Sequence, residues 1–137
     1  MTGRPKQVWI YCSLLAVVSG YSISAFLPPA SWTHVFLFSE HTGWILQLRT
    51  WISVLSTSAL IIPAALLFFR VRWCVYVAGF LALSITVNDV GYPLYLNDPY
   101  AGLLILAAPY YLFLWWVTGY MWRLRYQDYY SVRGRMT

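Results

Sequence analysis

Long uncharged apolar stretches alternate along the chain with short segments that contain almost all of its charged residues. Each apolar stretch has about the ~20 residues that a helix needs to cross the hydrocarbon core of a bilayer. The pattern predicts an all-α, multi-pass integral membrane protein, a bundle of four transmembrane helices that forms a single domain over residues 1–137. The spans are expected at about residues 8–27, 44–69, 73–91 and 101–122.

Prolines mark the end of one span and irregular points within two others. The first span ends at Pro28-Pro29, which cannot continue a helix. Pro63 lies inside the second span and Pro109 near the middle of the fourth. A proline inside a membrane helix removes one backbone hydrogen bond, usually bends the helix, and leaves a carbonyl for a neighbouring helix to satisfy. We therefore expect a bend within the second span.

Composition excludes an ordinary soluble domain. Hydrophobic residues make up 61% of the chain and charged residues only 9%. Aromatic residues make up 20%, and many of the tryptophans and tyrosines lie where a span should leave the bilayer. That placement is typical of the aromatic belts of membrane proteins.

The positions of the basic residues predict the orientation. Eight of the nine lie before the first span, between the second and third, or after the fourth. By the positive-inside rule, both termini are expected on the cytoplasmic or equivalent side of a bacterial inner membrane or an organellar membrane. The net charge of +5 in this arrangement indicates contact with anionic membrane lipids, and no nucleic-acid partner is expected.

The ninth basic residue, Arg49, defines the candidate site together with Asp89. Segment 70–72 joins the second and third spans, and at ~1.5 Å per residue Arg49 lies roughly 30 Å along one span and Asp89 roughly 25 Å along the other. The two charges and Asn88 are therefore expected at similar depth. An ionisable residue within a membrane is a functional candidate by default, so these three residues are candidates for a polar site that binds a substrate or a proton. The structural alternatives are a direct ion pair or an arginine that extends to the headgroups.

Small residues predict which helix faces pack against other helices. Each set lies on one face of its span. The set on span three shares its face with Asp89, and the set on span two shares its face with Arg49. The sets are Ala78, Ala82 and Thr86 on span three, Ser53 and Ser56 on span two, and Ala16, Gly20 and Ser24 on span one.

The first outer loop, residues 28–43, is apolar enough to form a short interfacial helix that anchors in the headgroup layer. It also contains His34, Glu40 and His41. Two functional alternatives are therefore open for this loop: it acts as a lid over a lateral opening, or these three side chains bind a metal ion. A His-x6-His spacing is not a standard metal-binding pattern, so no metal is expected.

The residue patterns of common enzymes are missing. Both histidines lie outside the spans, so a haem held by two histidines inside the bundle is excluded. Cys12 and Cys74 form no Cys-x-x-Cys pattern and are expected to be small buried thiols. The chain has no Gly-rich phosphate loop and only four acidic residues. We therefore expect no catalytic residue and no cofactor.

After the fourth span, residues 122–137 alternate arginine with tyrosine. Two alternatives remain open for this tail, contact with an anionic leaflet and docking on a partner subunit.

From Pro63 onward the chain contains the short patterns Pro63-Ala64, Phe68-Phe69, Trp73 and Ala108-Pro109-Tyr110. These patterns resemble those of the four-span sterol-binding and sterol-isomerase proteins. That family places an acidic group in its first span, where residues 8–27 have none, so no site residue is transferred.

Two functions follow as hypotheses. The first is a non-catalytic, accessory subunit of a larger membrane complex, based on the missing catalytic patterns and the small-residue faces. The second is a small carrier, channel or enzyme that handles a lipophilic or small polar ligand between spans two and three. The partners expected are membrane lipids and other integral-membrane subunits.

Overall fold

The computed structural model describes residues 4–26, 43–95, 102, 104–127 and 129–130, and within these ranges all regular structure is helical. The prediction of an all-α protein is confirmed for this part of the chain. The elements are α1 (Lys6–Ile23) with a 3-10 turn (Ser24–Phe26), α2 (Trp44–Ser58), α3 (Ile61–Phe68), α4 (Cys74–Thr86), a π-helical segment (Val87–Gly91), α5 (Tyr92–Tyr95) and α6 (Leu104–Tyr126).

Three helical stretches are long and apolar enough to cross a membrane: Trp44–Phe68, Cys74–Tyr95 and Leu104–Tyr126. The prediction of a membrane protein is confirmed by these stretches, which lie at the second, third and fourth predicted spans. Two of them extend past the predicted ends at residues 91 and 122. Helix α1 occupies the position of the predicted first span, and its insertion in the membrane remains a prediction.

Contacts among the helices form one packed core. Helix α4 contacts α2, α3 and α6, and α1 packs against α2 and α3. Tyr11 connects α1 with α6, since its ring lies 4.9 Å from that of Tyr120 and its hydroxyl accepts the Trp116 indole N–H at 2.9 Å. The buried aliphatic and small side chains between these helices include Leu15, Leu60, Leu67, Ala78, Ala82, Ile85, Leu114 and Met121.

A short break after Ser58 separates α2 from α3. Pro63 has no amide hydrogen, and its ring crowds the carbonyl four residues earlier, so the helix cannot keep its regular bonding there. The Ile62 amide donates to the Ala59 carbonyl at 2.9 Å, in the tighter 3-10 pattern. The Ser58 carbonyl instead accepts the hydroxyl of Ser19, a fully buried residue of α1. The Ile62 amide, which would bond the Ser58 carbonyl in a regular α-helix, is thus used at Ala59, and Ser19 of α1 supplies a replacement donor for Ser58.

The turn that follows α3 closes as a Schellman motif. Arg70 has a φ of 60°, in the left-handed region that glycine usually occupies at this position. Its amide donates to the Leu67 carbonyl at 3.1 Å, and the Val71 amide donates to the Leu66 carbonyl at 2.8 Å. These two bonds reverse the chain tightly between the second and third spans.

The first and last described segments both contact this turn, and we call residues 4, 70–72 and 129–130 the turn end of the bundle. The Nε of Arg4 donates to the Phe68 carbonyl at 3.1 Å. The hydroxyl of Tyr129, a residue only 7% exposed, donates to the Leu67 carbonyl at 3.0 Å. The start of the tail therefore packs against the chain's own helices, an arrangement that neither sequence-based alternative included.

Candidate functional site

Asn88 lies in the π-helical segment Val87–Gly91, at the end of the bundle opposite the turn. The Tyr92 amide donates to the carbonyl of Val87, five residues earlier. Pro93 gives a physical reason for the wider turn, because its ring would clash with the carbonyl four residues before it in a regular α-helix. In the same register residue 93 would donate to the Asn88 carbonyl, and proline has no N–H to donate. That carbonyl is left for a donor from another helix.

Arg49 of α2 is this donor. Its Nη2 donates to the Asn88 carbonyl at 3.0 Å, and the Asn88 side-chain amide donates back to the Arg49 carbonyl at 3.0 Å. The guanidinium also lies over the Tyr92 ring, 4.4 Å from its centroid, within the range of a cation–π contact. A reciprocal pair of hydrogen bonds thus joins the second span to the third. The Nε of Arg49 is buried and has no hydrogen-bond partner among the described residues.

The Asp89 carboxylate accepts hydrogen bonds from three side chains. Its Oδ1 accepts the Asn88 amide at 2.8 Å, and its Oδ2 accepts the hydroxyls of Ser53 at 3.2 Å and Tyr111 at 3.5 Å. Hydrogen bonds to an ionised group are stronger than those between neutral groups. Since these donors lie on the second, third and fourth spans, the carboxylate ties all three together.

Asn88 stands between the two charges. Its carbonyl binds Arg49 and its amide binds Asp89, and among the described residues no Arg49 nitrogen forms an ion pair with Asp89. The sequence-based alternative of a direct ion pair is therefore replaced by a bridge through Asn88. The reason is that the π turn presents the Asn88 carbonyl, rather than the carboxylate, to the guanidinium.

Two further polar contacts connect the same spans. The hydroxyls of Thr57 and Tyr110 lie 3.3 Å apart, and the Trp115 indole N–H donates to Thr86 at 3.0 Å. Thr86 was predicted as a packing residue, whereas Thr57, Tyr110, Tyr111 and Trp115 were missed as site residues by the sequence reasoning. A tyrosine pair inside a span, away from the ends where the aromatic belt lies, is the signal that points to buried polar partners.

The small residues of the second and third spans lie on inward-facing surfaces. Ala78 and Ala82 are 5% and 1% exposed, in the core. Thr86 and Ser53 take part in the hydrogen bonds described above, and Ser56 is half-buried.

The small residues of α1 differ from these. Ala16 is half-buried, whereas Gly20 and Ser24 are exposed. That these residues pack against a helix of a partner protein remains a prediction.

The outer-loop candidates His34, Glu40 and His41 and the predicted interfacial helix lie outside the described residues. In the described ranges, no cluster of three or more histidine, cysteine or acidic residues is placed to hold a metal ion. Cys12 and Cys74 are free thiols, and the Cys12 thiol donates to the Ala64 carbonyl at 3.3 Å.

The Arg49–Asn88–Asp89 cluster uses its polar groups mainly to join helices. Both carboxylate oxygens of Asp89, and the backbone carbonyl and side-chain NH2 group of Asn88, bind within the protein, and the formal charges of Arg49 and Asp89 cancel. A network of this kind favours one arrangement of the helices.

The resemblance to the sterol-isomerase proteins gains no support, because no protein family, curated protein or solved structure matches this chain.

Proposed function

We propose that this chain is a non-catalytic subunit of a larger integral-membrane complex. The observation that carries the proposal is an exposed seam along α1 and the 3-10 turn that follows it, formed by Ile10, Ser13, Val17, Gly20 and Ser24. Their alternating spacing of three and four residues places them on one face, the spacing by which helices pack side by side. Small residues at such a seam allow a second helix to approach closely, whereas they offer little contact to lipid chains.

Gly20 is the closest-approach point of this seam. A Cβ added there would meet no atom of the described residues within 4 Å, so a partner helix has room to approach. The hydrogen bonds of the Arg49–Asn88–Asp89 cluster support the same proposal, because they join this chain's own helices.

The test is the native mass of the protein extracted from its own membrane in a mild detergent, with co-purifying chains identified. We expect a stoichiometric complex that loses this subunit in the Gly20→Leu variant. Ala65→Leu is the matched control, because Ala65 is a small exposed residue on α3, a different helix from the seam. It should leave the complex intact. A wild-type monomer, or a Gly20→Leu variant that still assembles, would contradict the proposal.

A second candidate is a carrier, channel or enzyme that uses the Arg49 cluster for a lipophilic or small polar ligand. The buried Arg49 Nε without a partner and the π-helical segment favour it, because π segments often lie at functional sites. Under this hypothesis, Asp89→Asn abolishes ligand co-purification or activity in a protein that still folds and assembles. An Asp89→Asn variant that retains both removes Asp89 from such a site.

In the membrane arrangement proposed with this function, α1 is a further span that precedes the three long apolar helical stretches. Both termini then lie on the cytoplasmic or equivalent side, and loop 28–43 forms an interfacial helix. Six basic residues of the described ranges lie near the turn end: Arg4, Lys6, Arg70, Arg72, Arg123 and Arg125. Single cysteines at Pro5, Gly43 and Gln127, in a chain without Cys12 and Cys74, test it with a membrane-impermeant maleimide. Only the cysteine at position 43 should react from the outer side, and labelling of positions 5 and 43 from the same side would contradict a span at α1.

A further inference from the structure

A groove of about 390 Å³ runs between α1 and α6 near the turn end. Its walls are the aromatic rings of Tyr11, Trp115, Trp116 and Tyr120. The indole N–H groups of Trp115 and Trp116 already donate to Thr86 and Tyr11, so these rings offer apolar surface to an occupant. Gly119 also lines the groove, and no atom of the described part of the chain lies within 4 Å of where its Cβ would be.

The chemistry changes at the end of the groove nearest the turn. Gln7 and Arg123 line it there, both side chains are exposed, and neither forms a hydrogen bond with another described residue. From Trp115 to Arg123 the helix rises roughly 12 Å at ~1.5 Å per residue. The groove therefore combines aromatic walls with a cation and an amide at one end, a pairing that suits an acyl chain and a polar headgroup.

Charge complementarity indicates the occupant. Lys6, next to Gln7 in the chain, adds a second positive charge at this end of α1. The one carboxylate of the described residues, Asp89, is bonded at the opposite end of the bundle. A guanidinium binds a phosphate oxygen through strong charge-assisted hydrogen bonds, and anionic lipids are attracted to basic residues at the membrane surface. A zwitterionic lipid would bring an ammonium group into this positive field.

We propose that the groove between α1 and α6 binds one phospholipid with an anionic headgroup. Its phosphate lies at Arg123 and Gln7, and an acyl chain lies along Trp115, Trp116 and Tyr120. The site is separate from the seam around Gly20 and from the Arg49 cluster.

The experiment titrates the delipidated full chain in detergent with phosphatidylglycerol or phosphatidylcholine of the same acyl chains, and native mass spectrometry counts the bound lipids. We expect one phosphatidylglycerol to bind at least about tenfold more tightly than phosphatidylcholine. Arg123→Gln should weaken its binding about tenfold, the effect of losing one charge-assisted contact. Gly119→Leu should reduce binding of both lipids, because the new side chain fills the groove.

Arg125→Gln is the matched charge control, since Arg125 lies over the Trp122 ring, 5.4 Å from its centroid, and outside the groove. It should leave binding within about twofold of the wild type. An equal loss in Arg125→Gln and Arg123→Gln would overturn the proposal in favour of diffuse surface charge. Equal binding of both lipids, unchanged binding in Gly119→Leu, or equally tight binding of glycerol phosphate without acyl chains would also overturn it.

Discussion

The guanidinium of Arg49 occupies the hydrogen-bonding position that Pro93 leaves empty in the third span. In the π register the amide of residue 93 would reach the Asn88 carbonyl, and Arg49 Nη2 donates to that carbonyl at 3.0 Å instead. An intramembrane arginine is usually read first as a functional group. Here its visible role is to complete the backbone bonding of a neighbouring helix.

The first prediction tests whether Arg49 replaces the amide donor that Pro93 lacks. Arg49→Gln should lower the free energy of unfolding by about 1–3 kcal/mol, because the buried Asn88 carbonyl loses a charged donor. In a Pro93→Ala background residue 93 gains an amide hydrogen, so the same Arg49→Gln change should cost about 1 kcal/mol less. A double-mutant cycle, measured by unfolding in mixed detergent micelles, gives the coupling.

Arg125→Gln serves as the control for the removal of an exposed charge, and it should change stability by less than about 0.5 kcal/mol. Equal losses for Arg49→Gln with and without Pro93 would show that the arginine does not compensate for the proline.

The second prediction concerns the buried hydroxyl of Ser19, which donates to the Ser58 carbonyl next to the break caused by Pro63. Ser19→Ala should destabilise the bundle by about 1 kcal/mol or more, because a buried carbonyl loses its donor. Ser58→Ala is the matched control, since the Ser58 hydroxyl oxygen is buried with no hydrogen-bond partner in the described part of the chain, so its removal should be neutral or stabilising. Unfolding of both variants in the same detergent separates the two effects, and the opposite order of stability would refute the assigned bond.

The third prediction concerns the left-handed backbone at Arg70. Glycine at position 70 should be more stable than alanine by about 1 kcal/mol, because an alanine Cβ is unfavourable at a φ of 60° and both changes remove the same guanidinium. The matched control is Arg72, which has no positive φ. There alanine should be at least as stable as glycine, because glycine loses more backbone entropy on folding. The same preference at both positions would contradict the Schellman turn.

The fourth prediction is a pH dependence that arises outside the spans, at Tyr129 and Tyr130. Burial raises the pKa of both hydroxyls above the usual value, although Arg70 and Arg4 partly offset the shift in the pKa of Tyr129. Because the folded protein favours the protonated form, this stability is fully present below the unfolded pKa of about 10 and is lost as pH rises through the raised values.

Unfolding temperatures measured between about pH 8 and about pH 11 should therefore fall more steeply for the wild type than for a Tyr129→Phe/Tyr130→Phe variant. At neutral pH the double variant should itself be less stable, since Tyr129 donates to Leu67 at 3.0 Å and Tyr130 to Met121 at 2.9 Å. Parallel curves would show that these hydroxyls do not titrate differently in the two states.

Apolar segment length predicted the long helices near 44–69, 73–91 and 101–122, because a bilayer-spanning helix requires a minimum apolar length. Helix rise also predicted that Arg49, Asn88 and Asp89 share one depth, and the structure brings them together. The π turn was missed, although Pro93 was visible, because a proline predicts lost bonding without showing how the chain relieves it.

The chain's sequence by itself therefore determined the helical class, the apolar spans, the prolines that interrupt them and the clustering of charge. Only the tertiary structure decided which donor meets each freed carbonyl, as Ser19 does for Ser58 and Arg49 for Asn88. These partners lie 39 residues apart in both cases. Each bond forms only when helix rotation and register agree to within the short range of a hydrogen bond, and a linear pattern of residues does not specify that agreement.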